Sequence, residues 1–206
     1  MRLILKGCLA AMAIAWIGGA AAQDSLTDPS AILDEKASRI LAKLNTNRDE
    51  YARNPELLQA IVREDLLPVL DVHYSSRLIL GRAGRSATEE QLERFSKAMS
   101  DLLVDRYSTG LLQFRSEEQL EVLPTKGDLN PRMTRVRTRV RLESGGFAPV
   151  DYVCRMTDDG WKAFDLVVEG ISYVTTYRNQ IMPEVYAQGL DAVIDRLTTG
   201  DLVLEE

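Results

Sequence analysis

The residues that could catalyse a reaction are few in this sequence. Its 206 residues include one histidine, His73, and two cysteines, Cys8 and Cys154, which are too few for a four-ligand Cys/His zinc site. No Gly-x-Ser-x-Gly motif or Cys-His pairing pattern supplies a nucleophile with its base, and the glycines lack the spacing that holds a phosphate. The sequence therefore predicts a protein that is not an enzyme and that carries neither a metal nor a cofactor.

One pair of side chains leaves a catalytic alternative open. A buried acid beside a phenol donor could do acid–base chemistry, and Asp165 with Tyr152 is the pair that fits this description. Alternation along the predicted strands does not show that the two side chains share a face of a sheet. We therefore favour a non-enzymatic function over this alternative.

Length and charge exclude further classes of protein. The chain has 25 Lys and Arg against 31 Asp and Glu, a net charge of −6, whereas nucleic-acid binding needs a basic surface. It is 45% hydrophobic and 27% charged, which is typical of a folded domain rather than a disordered chain or an integral membrane protein. We expect one domain with a substantial core and no nucleic acid among its partners.

The first 22 residues have the pattern of a secretory signal peptide. Positive charges at Arg2 and Lys6 precede an apolar run from Leu9 to Ile17, and Ala20–Ala22 forms a small-residue cleavage site. We expect residues 1–22 to be removed, which leaves residues 23–206 as the mature domain in an oxidising compartment.

The mature domain would hold a single cysteine. Cys8 raises the alternative of a lipid anchor, but the charge at Lys6 and the apolar run after the cysteine argue against it. Cys154 then remains alone, so no internal disulfide can form, and we expect it to be a structural residue within a strand. No second long apolar stretch follows, and we expect a free monomer.

Between residues 28 and 114 the hydrophobic spacing is helical. Asp28–Pro29 has the pattern of a cap followed by a first helical turn, and Gly81 ends the third predicted helix. Thr88 and Gln91 form a capping box that begins the longest predicted helix, which runs to Phe114 and would be roughly 40 Å long. The apolar stripe of the first helix has five members: Leu33, Ala37, Ile40, Leu41 and Leu44.

After Glu117 the period changes to two, which indicates β-strands. A short strand around Leu120 precedes a long alternating strand, and a third strand runs around Val150–Met156. Asp158–Gly160 is a tight hairpin into a fourth strand, Trp161–Val168. Helical spacing then returns. The sequence predicts an α+β domain with a four-stranded antiparallel sheet between two sets of helices.

The two faces of the second predicted strand carry chemically different side chains. One face carries apolar residues and threonines: Thr134, Val136, Thr138, Val140 and Leu142. The other face carries four arginines: Arg135, Arg137, Arg139 and Arg141. These arginines could bind anionic head groups or an acidic partner. We favour the alternative that neighbours such as Glu121 and Asp151 neutralise them across strands.

Several segments are similar to a known family. They are Phe164–Ser172, Tyr177–Gln180, Gly189–Asp191, Leu78–Arg82 and Ser86–Thr88. In these segments the chain resembles the MlaC family of periplasmic phospholipid-binding proteins, also called toluene-tolerance proteins. The similarity extends over the mature chain. It departs at Ala83–Gly84, where the family usually has an aromatic residue before Arg85, and at Pro183.

The resemblance implies a fold and a function. The fold would be a curved sheet, partly like the nuclear-transport-factor-2 fold, packed with helices around an apolar pocket that holds phospholipid as cargo. The function would be that of a soluble periplasmic carrier that shuttles phospholipid between an outer-membrane lipoprotein complex and an inner-membrane ABC transporter with an MCE-domain subunit. Such transport would maintain outer-membrane lipid asymmetry. The alternative is a lipid-free periplasmic adaptor that docks membrane complexes.

We expect the acyl tails to bind on the apolar sheet face. Two acyl chains would need a cavity towards the upper end of, or beyond, roughly 300–1,000 Å³. The strand residues expected to line it are Val136, Val140, Tyr152, Cys154, Phe164, Leu166 and Val168. At its mouth we expect Ile171, Val174 and Tyr177, which are spaced three apart. Arg178, with Arg82 as a weaker candidate, could reach the lipid phosphate, but we slightly favour the alternative that Arg178 pairs with Glu184 or another surface acid.

Overall fold

A computed structural model describes residues 28–142 and 145–205 of the chain. The predicted signal peptide, its cleavage site and the predicted start of the mature domain lie outside the described residues. Within those residues the protein has eight α-helices and one five-stranded antiparallel sheet. The predicted α+β class is confirmed, with helices before and after the sheet.

Six helices precede the sheet and two follow it. The first six are α1 (Pro29–Thr46), α2 (Arg48–Arg53), α3 (Pro55–Ile61), α4 (Val72–Leu80), α5 (Ala83–Ser86) and α6 (Glu89–Tyr107). The last two are α7 (Tyr173–Gln188), which continues through Pro183, and α8 (Leu190–Thr199). A π-helical turn (Val62–Leu66) and a 3-10 turn (Leu67–Val69) connect α3 to the segment before α4.

The predicted caps are present, but the longest helix is shorter than predicted. Asp28 accepts a hydrogen bond from the Ser30 N–H at the start of α1. Thr88 and Gln91 form a reciprocal capping box at the start of α6. That helix ends at Tyr107 rather than Phe114, and a 3-10 turn (Thr109–Gln113) follows. The stretch Ser-Thr-Gly after Tyr107 explains this end, because all three residue types are weak helix formers.

The strands form a simple meander in sequence order. They are β1 (Leu120–Val122), β2 (Thr134–Arg141), β3 (Phe147–Thr157), β4 (Gly160–Val168) and β5 (Ile171–Ser172). The predicted hairpin between β3 and β4 is confirmed. The two-residue β5 adds a fifth strand to the four that were predicted. It returns along β4 because Glu169 and Gly170, with φ of 51° and 87°, make a tight turn between them.

The two faces of β2 differ as predicted. Thr134, Val136 and Thr138 are buried, whereas the arginines between them are exposed or half-buried. Arg135 lies 3.2 Å from Asp151 and Arg139 lies 3.7 Å from Glu121, both on neighbouring strands. The cross-strand pairing that the sequence favoured is therefore confirmed for these two arginines. Leu142 lies beyond the end of β2 and is exposed, so its predicted place on the buried face is wrong.

Helices cover the buried face of the sheet. The largest core cluster joins α4, α6, α7 and α8, and the C-terminal Leu202 and Leu204 pack into it. A second cluster joins α1 and α3, and a third places Ile32 and Leu33 of α1 against Val136, Cys154 and Trp161 of the sheet.

Asp71 fixes α4 to the sheet. Its N–H donates to the Ala163 carbonyl oxygen (2.8 Å), and its Oδ1 accepts from the N–H of Tyr74 (3.1 Å) at the start of α4. Its Oδ2 accepts from Arg155 Nε of β3 (2.6 Å), and the Arg155 guanidinium lies 4.3 Å from the centre of the Tyr74 ring. One buried carboxylate thus bonds both the helix and the sheet.

Candidate functional site

Two apolar cavities lie between the helices and the sheet. The smaller, of about 190 Å³, is between α1 and the strands, and residues of α1 such as Ile32, Leu33 and Ala37 form one wall. The larger, of about 360 Å³, is between α4, α6, α7 and β4, with Ile79, Met99 and Leu103 among its lining residues. Both are lined mainly by aliphatic and aromatic side chains, as sites for apolar ligands are.

One layer of side chains separates the two cavities. Five residues line both of them: Leu66, Leu70, Leu111, Tyr152 and Ala163. We call these five residues the partition. The apolar space thus lies in two adjoining compartments of about 190 and 360 Å³, whereas the sequence led us to expect a cavity towards the upper end of the ligand-pocket range.

Burial keeps the cysteine thiol and two tyrosine phenols of the walls protonated. Burial raises the pKa of the Cys154 thiol to about 12 and raises the pKa of the Tyr152 phenol. Burial also raises the pKa of Tyr177, which outweighs the hydrogen bond that its hydroxyl shares with Tyr107 (3.1 Å between oxygens). The Ser76 hydroxyl is buried in the wall of the larger cavity and makes no hydrogen bond within the described residues.

Asp165 acts as a helix cap, although it lines the larger cavity together with Tyr152. Its Oδ1 accepts from the Val174 N–H (3.0 Å) and its Oδ2 accepts from the Ser172 hydroxyl (2.6 Å). Ser172 in turn caps α7 by accepting from the Thr175 N–H. Both carboxylate oxygens thus satisfy the first turn of α7, and Tyr152 pairs in register with Leu166 rather than with Asp165.

Most of the predicted tail-binding residues lie at the cavities. Val140, Tyr152 and Cys154 line the smaller cavity. The larger is lined by the partition residue Tyr152 and by four further predicted residues: Phe164, Leu166, Val174 and Tyr177. The structure thus brings seven of the ten together around the two compartments, and their contact with lipid stays a prediction.

Three predicted residues lie away from the cavity walls. Val136 is fully buried in the core cluster of Cys154 and Trp161, and Val168 is half-buried at the end of β4. Ile171 is 63% exposed, so its predicted inward orientation is wrong. The reason is that Ile171 belongs to β5, and the three-residue spacing with Val174 and Tyr177 applies only once α7 has begun.

A bulge in β4 decides which aromatic residues reach the cavities. Val153 pairs with Asp165 but Cys154 pairs with Ala163, so Phe164 is an extra residue in β4. Trp161 therefore lines the smaller cavity while Phe164 lines the larger one. Simple alternation places only one of these two side chains inside.

The predicted head-group residues line a third, separate cleft. Arg82 and Arg178 border a surface cleft of about 490 Å³ that shares no lining residue with either cavity. Arg178 Nε donates to the Leu78 carbonyl oxygen (2.8 Å), and Glu184 is paired with Arg196 (2.6 Å). The alternative pairing of Arg178 with Glu184 is therefore wrong, and neither arginine lies on a cavity wall.

The sequence missed the contribution of the helices to the site. The entire predicted stripe of α1 lines the smaller cavity. The stripe was visible as amphipathic spacing, but a helix face that packs a core and one that lines a cavity have the same spacing. Leu66, Leu70 and Leu111 lie in or next to irregular turns, where apolar spacing does not distinguish a cavity wall from the continuation of a helix.

Within the described residues, no helix has the length and apolar character to span a membrane, and no three His, Cys, Asp or Glu side chains cluster as metal ligands do.

Comparison with known protein families shows which family this chain belongs to. The family model described as MlaC protein matches residues 34–199. The chain belongs to the MlaC family. The match includes the whole lining of the larger cavity, the lining of the smaller one except Pro29, Ile32 and Leu33, and all eight helices in whole or in part, so the predicted resemblance is confirmed.

Two relatives of this MlaC-family chain have names that describe a function. It is 25% identical over 176 residues, 83% of this chain and 81% of the relative, to the intermembrane phospholipid transport system binding protein MlaC of Haemophilus influenzae. It is 28% identical over 170 residues to a toluene tolerance protein of Pseudomonas putida, with 81% and 78% of the two chains covered.

A solved structure has the same fold as this MlaC-family chain. It is a phospholipid-binding protein from Ralstonia solanacearum, determined in complex with a phospholipid. The TM-score is 0.71 at 22% sequence identity, over 82% of this chain and 98% of the other.

Proposed function

We propose that this protein is a phospholipid carrier that encloses acyl tails in its two apolar cavities. The observation that carries the proposal is the pair of adjoining apolar compartments between helices and sheet, in a chain of the MlaC family. The Haemophilus relative named as a binding protein of phospholipid transport and the Ralstonia structure that holds a phospholipid support it.

The free energy of transfer from water explains why a carrier needs enclosed cavities. Each methylene buried from water contributes roughly 0.8 kcal/mol, so an acyl chain cannot cross an aqueous compartment unprotected. Apart from Lys36 at the smaller cavity and the helix-capping Asp165 at the larger one, the walls offer apolar surface and hydroxyl or thiol groups, which suits tails and gives the head group few directional contacts. We expect selectivity for acyl chains over head groups.

The partners and the location follow from the same proposal. The mature protein would be a periplasmic monomer that exchanges phospholipid with an outer-membrane lipoprotein complex and with an inner-membrane ABC transporter that carries an MCE-domain subunit. This exchange would maintain the lipid asymmetry of the outer membrane. Because apolar contacts have no intrinsic release signal, docking to a partner must favour an open form in order to release the lipid.

Analysis of bound lipid tests the proposal. The mature protein, residues 23–206, is purified without detergent, and native mass spectrometry and solvent extraction identify what is bound. We expect stoichiometric phospholipid. A protein that is lipid-free on purification and stays lipid-free after incubation with phospholipid vesicles would overturn the carrier function and would favour the lipid-free adaptor instead.

A second measurement tests the transport step. Protein loaded with a fluorescent phospholipid is mixed with the purified ABC transporter complex in nanodiscs, and transfer is followed by fluorescence. We expect transfer to the transporter but none to empty nanodiscs. Equal transfer to both would contradict partner-driven release while leaving lipid binding itself intact.

A further inference from the structure

Four arginines converge on a cleft that the proposed lipid site does not use. The cleft lies outside α4, at its junction with α5 and α7, and has a volume of about 490 Å³. Its four charged lining residues are Arg77, Arg82, Arg85 and Arg178, and no carboxylate is among the lining residues. In a chain of net charge −6, this is a local concentration of positive charge.

The charge of the cleft is only partly neutralised. Arg77 pairs with Glu89 (3.1 Å), and Glu89 also contacts His73 (2.8 Å). Arg82 and Arg85 are exposed, and within the described residues neither has an ion pair. The cleft therefore presents unpaired guanidinium groups.

Backbone contacts hold the fourth arginine in place. Arg178 is half-buried, and its Nε donates to the Leu78 carbonyl oxygen (2.8 Å). That bond uses one edge of the guanidinium and leaves its two terminal nitrogens as donors. An acceptor in the cleft would meet a guanidinium whose orientation is already fixed, which lowers the entropic cost of binding.

Gly84 lets α5 lie directly against α4 in the wall of the cleft. Gly84 is buried, and a Cβ at this position would lie 2.9 Å from the Arg77 carbonyl oxygen and 3.0 Å from Leu80 Cβ. Only glycine allows this close approach of α5 to α4.

The wall formed by α7 is apolar and exposed at its edge. Met182 and Tyr186 line the cleft one helical turn apart, and the Tyr186 side chain is 72% exposed. Arginine, tyrosine and methionine are all enriched at protein interfaces. A large exposed aromatic residue beside unpaired arginines suits a ligand with both acidic and apolar side chains.

We propose that this cleft docks an acidic peptide segment of a partner protein, with Glu or Asp side chains on Arg82, Arg85 and Arg178. Arginine binds carboxylates in a bidentate geometry, and the shape is concave, which accommodates an inserted segment better than the plane of a bilayer. The cavity-lining residues Ser75, Ser76 and Ile79 lie on another side of α4, so the cleft is separate from the cargo compartments.

The inference extends the proposed function, since a carrier must dock in order to deliver lipid. Its test needs no lipid transfer, however, so failure of the docking site would leave the carrier proposal standing. Equally, a lipid-free adaptor could use the same cleft.

Fluorescence anisotropy with a defined probe tests the docking site. The probe is a fluorescein-labelled peptide of six glutamates around a central phenylalanine, and its counterpart has glutamine in place of glutamate. We expect the mature protein to bind the acidic peptide and not the glutamine peptide. Affinity should fall as salt rises, because the exposed arginines are screened.

Matched charge reversals locate the binding. Arg82→Glu with Arg85→Glu should weaken binding of the acidic peptide about tenfold or more, because two attractive charges become repulsive. The control is Lys126→Glu with Arg132→Glu, two exposed cations of the β1–β2 connection, which changes the net charge equally and should leave affinity unchanged. Circular dichroism checks that both variants are folded.

Three results would overturn the proposal. The first is equal weakening by both double variants, which would show a non-specific charge effect. The second is absence of binding to the acidic peptide. The third is a protein that binds only inorganic phosphate or only vesicles containing phosphatidylglycerol, with loss of that binding in the Arg82→Glu, Arg85→Glu variant, which would make the cleft a phosphate or membrane site.

Discussion

Burial keeps the thiol and two of the phenols that border the compartments protonated. Cys154 is the clearest case, because its thiol lies in the wall of the smaller cavity and its pKa is raised to about 12. Reactivity of a cysteine depends on the thiolate, and at pH 8 such a thiol is ionised to only about one part in ten thousand. An ordinary thiol with a pKa of about 8.5 is roughly one-quarter ionised at that pH.

We predict that Cys154 of the mature protein reacts slowly with iodoacetamide. At pH 8 the rate should be about a thousandfold lower in the folded protein than in urea, because the unfolded thiol has an ordinary pKa. The linked free energy has a definite sign. Above pH 9 the unfolded chain loses the thiol proton before the folded chain does, so this group lowers the free energy of unfolding as pH rises towards 12.

Cys154→Ala provides the control for both effects. It should abolish labelling and remove this part of the pH dependence, while leaving the contribution of the tyrosines. Labelling of the folded wild-type protein at the rate of the unfolded chain would show that the thiol is not held neutral by the cavity wall.

Val140 tests the smaller cavity directly. Its side chain lines that cavity from β2, where it pairs with Leu120 and Ala148. We predict that Val140→Asp reduces phospholipid co-purification at least several-fold, because an ionised carboxylate facing methylenes is strongly unfavourable. The measurement is phospholipid per protein after solvent extraction. Leu142→Asp, at an exposed position just beyond the same strand, is the matched control and should retain its lipid.

The inward residues of β2 could be predicted from sequence, whereas those of β4 could not. Alternation in β2 is unbroken, so Val140 was placed correctly on the buried face. In β4, the extra residue Phe164 shifts the alternation, and nothing in the stretch Trp-Lys-Ala-Phe-Asp marks where the shift occurs. Bulges depend on how the neighbouring strand and helix pack, which a single strand sequence does not contain.

At the scale of elements, α4 is the wall that joins the two halves of the fold. It packs against α6 and α7 on the helical side and contacts β4 on the sheet side. Its attachment depends on Asp71, which is 8% exposed and bonds α4, β3 and β4 together. The Tyr74 ring extends this attachment by packing edge-on against Phe164 at 5.1 Å between centroids.

We predict that Asp71→Asn lowers the free energy of unfolding by about 1–3 kcal/mol, because it removes the charged partner of the half-buried Arg155. Equilibrium urea denaturation of proteins with equal lipid content measures the difference. The control is Asp159→Asn, which removes an ion pair with Lys162 at an exposed turn and should lower the free energy of unfolding much less, because solvent screens that pair. Equal losses for the two variants would contradict the assigned role of Asp71.

Element boundaries show where local sequence signals were insufficient. The capping box located the start of α6, because a cap is a local hydrogen-bond pattern. The end of α6 was misplaced because Leu111 and Phe114 continue the apolar spacing beyond Tyr107. Both side chains line the smaller cavity from the chain after α6, so their apolar character reflects the compartment rather than a helix.

At the scale of the whole molecule, the compartments are gaps in the core that a ligand can fill. A well-packed domain leaves few voids larger than a water molecule, whereas this one has two apolar cavities beside its main cluster. A ligand that binds only the folded state raises the free energy of unfolding of the protein. At ligand concentrations above Kd, this increase grows with the logarithm of the ratio of ligand concentration to Kd.

We predict that removal of bound lipid lowers the thermal midpoint of the mature protein by several degrees, and that adding phospholipid restores it. Differential scanning calorimetry before and after extraction with organic solvent measures the shift. The Val140→Asp variant should show a smaller shift on the same treatment, because it carries less lipid. An identical midpoint for loaded and extracted wild-type protein would show that the cargo contributes nothing to the folded state.

The partition has a consequence for how the two compartments fill. If one acyl chain enters each compartment, both chains press on the same five side chains from opposite sides, so occupancy of one must change the affinity of the other. Thermodynamic linkage makes this coupling equal in both directions. The protein would then bind two single-chain lipids in two steps of unequal affinity. A two-chain lipid would instead fill both compartments in one binding step.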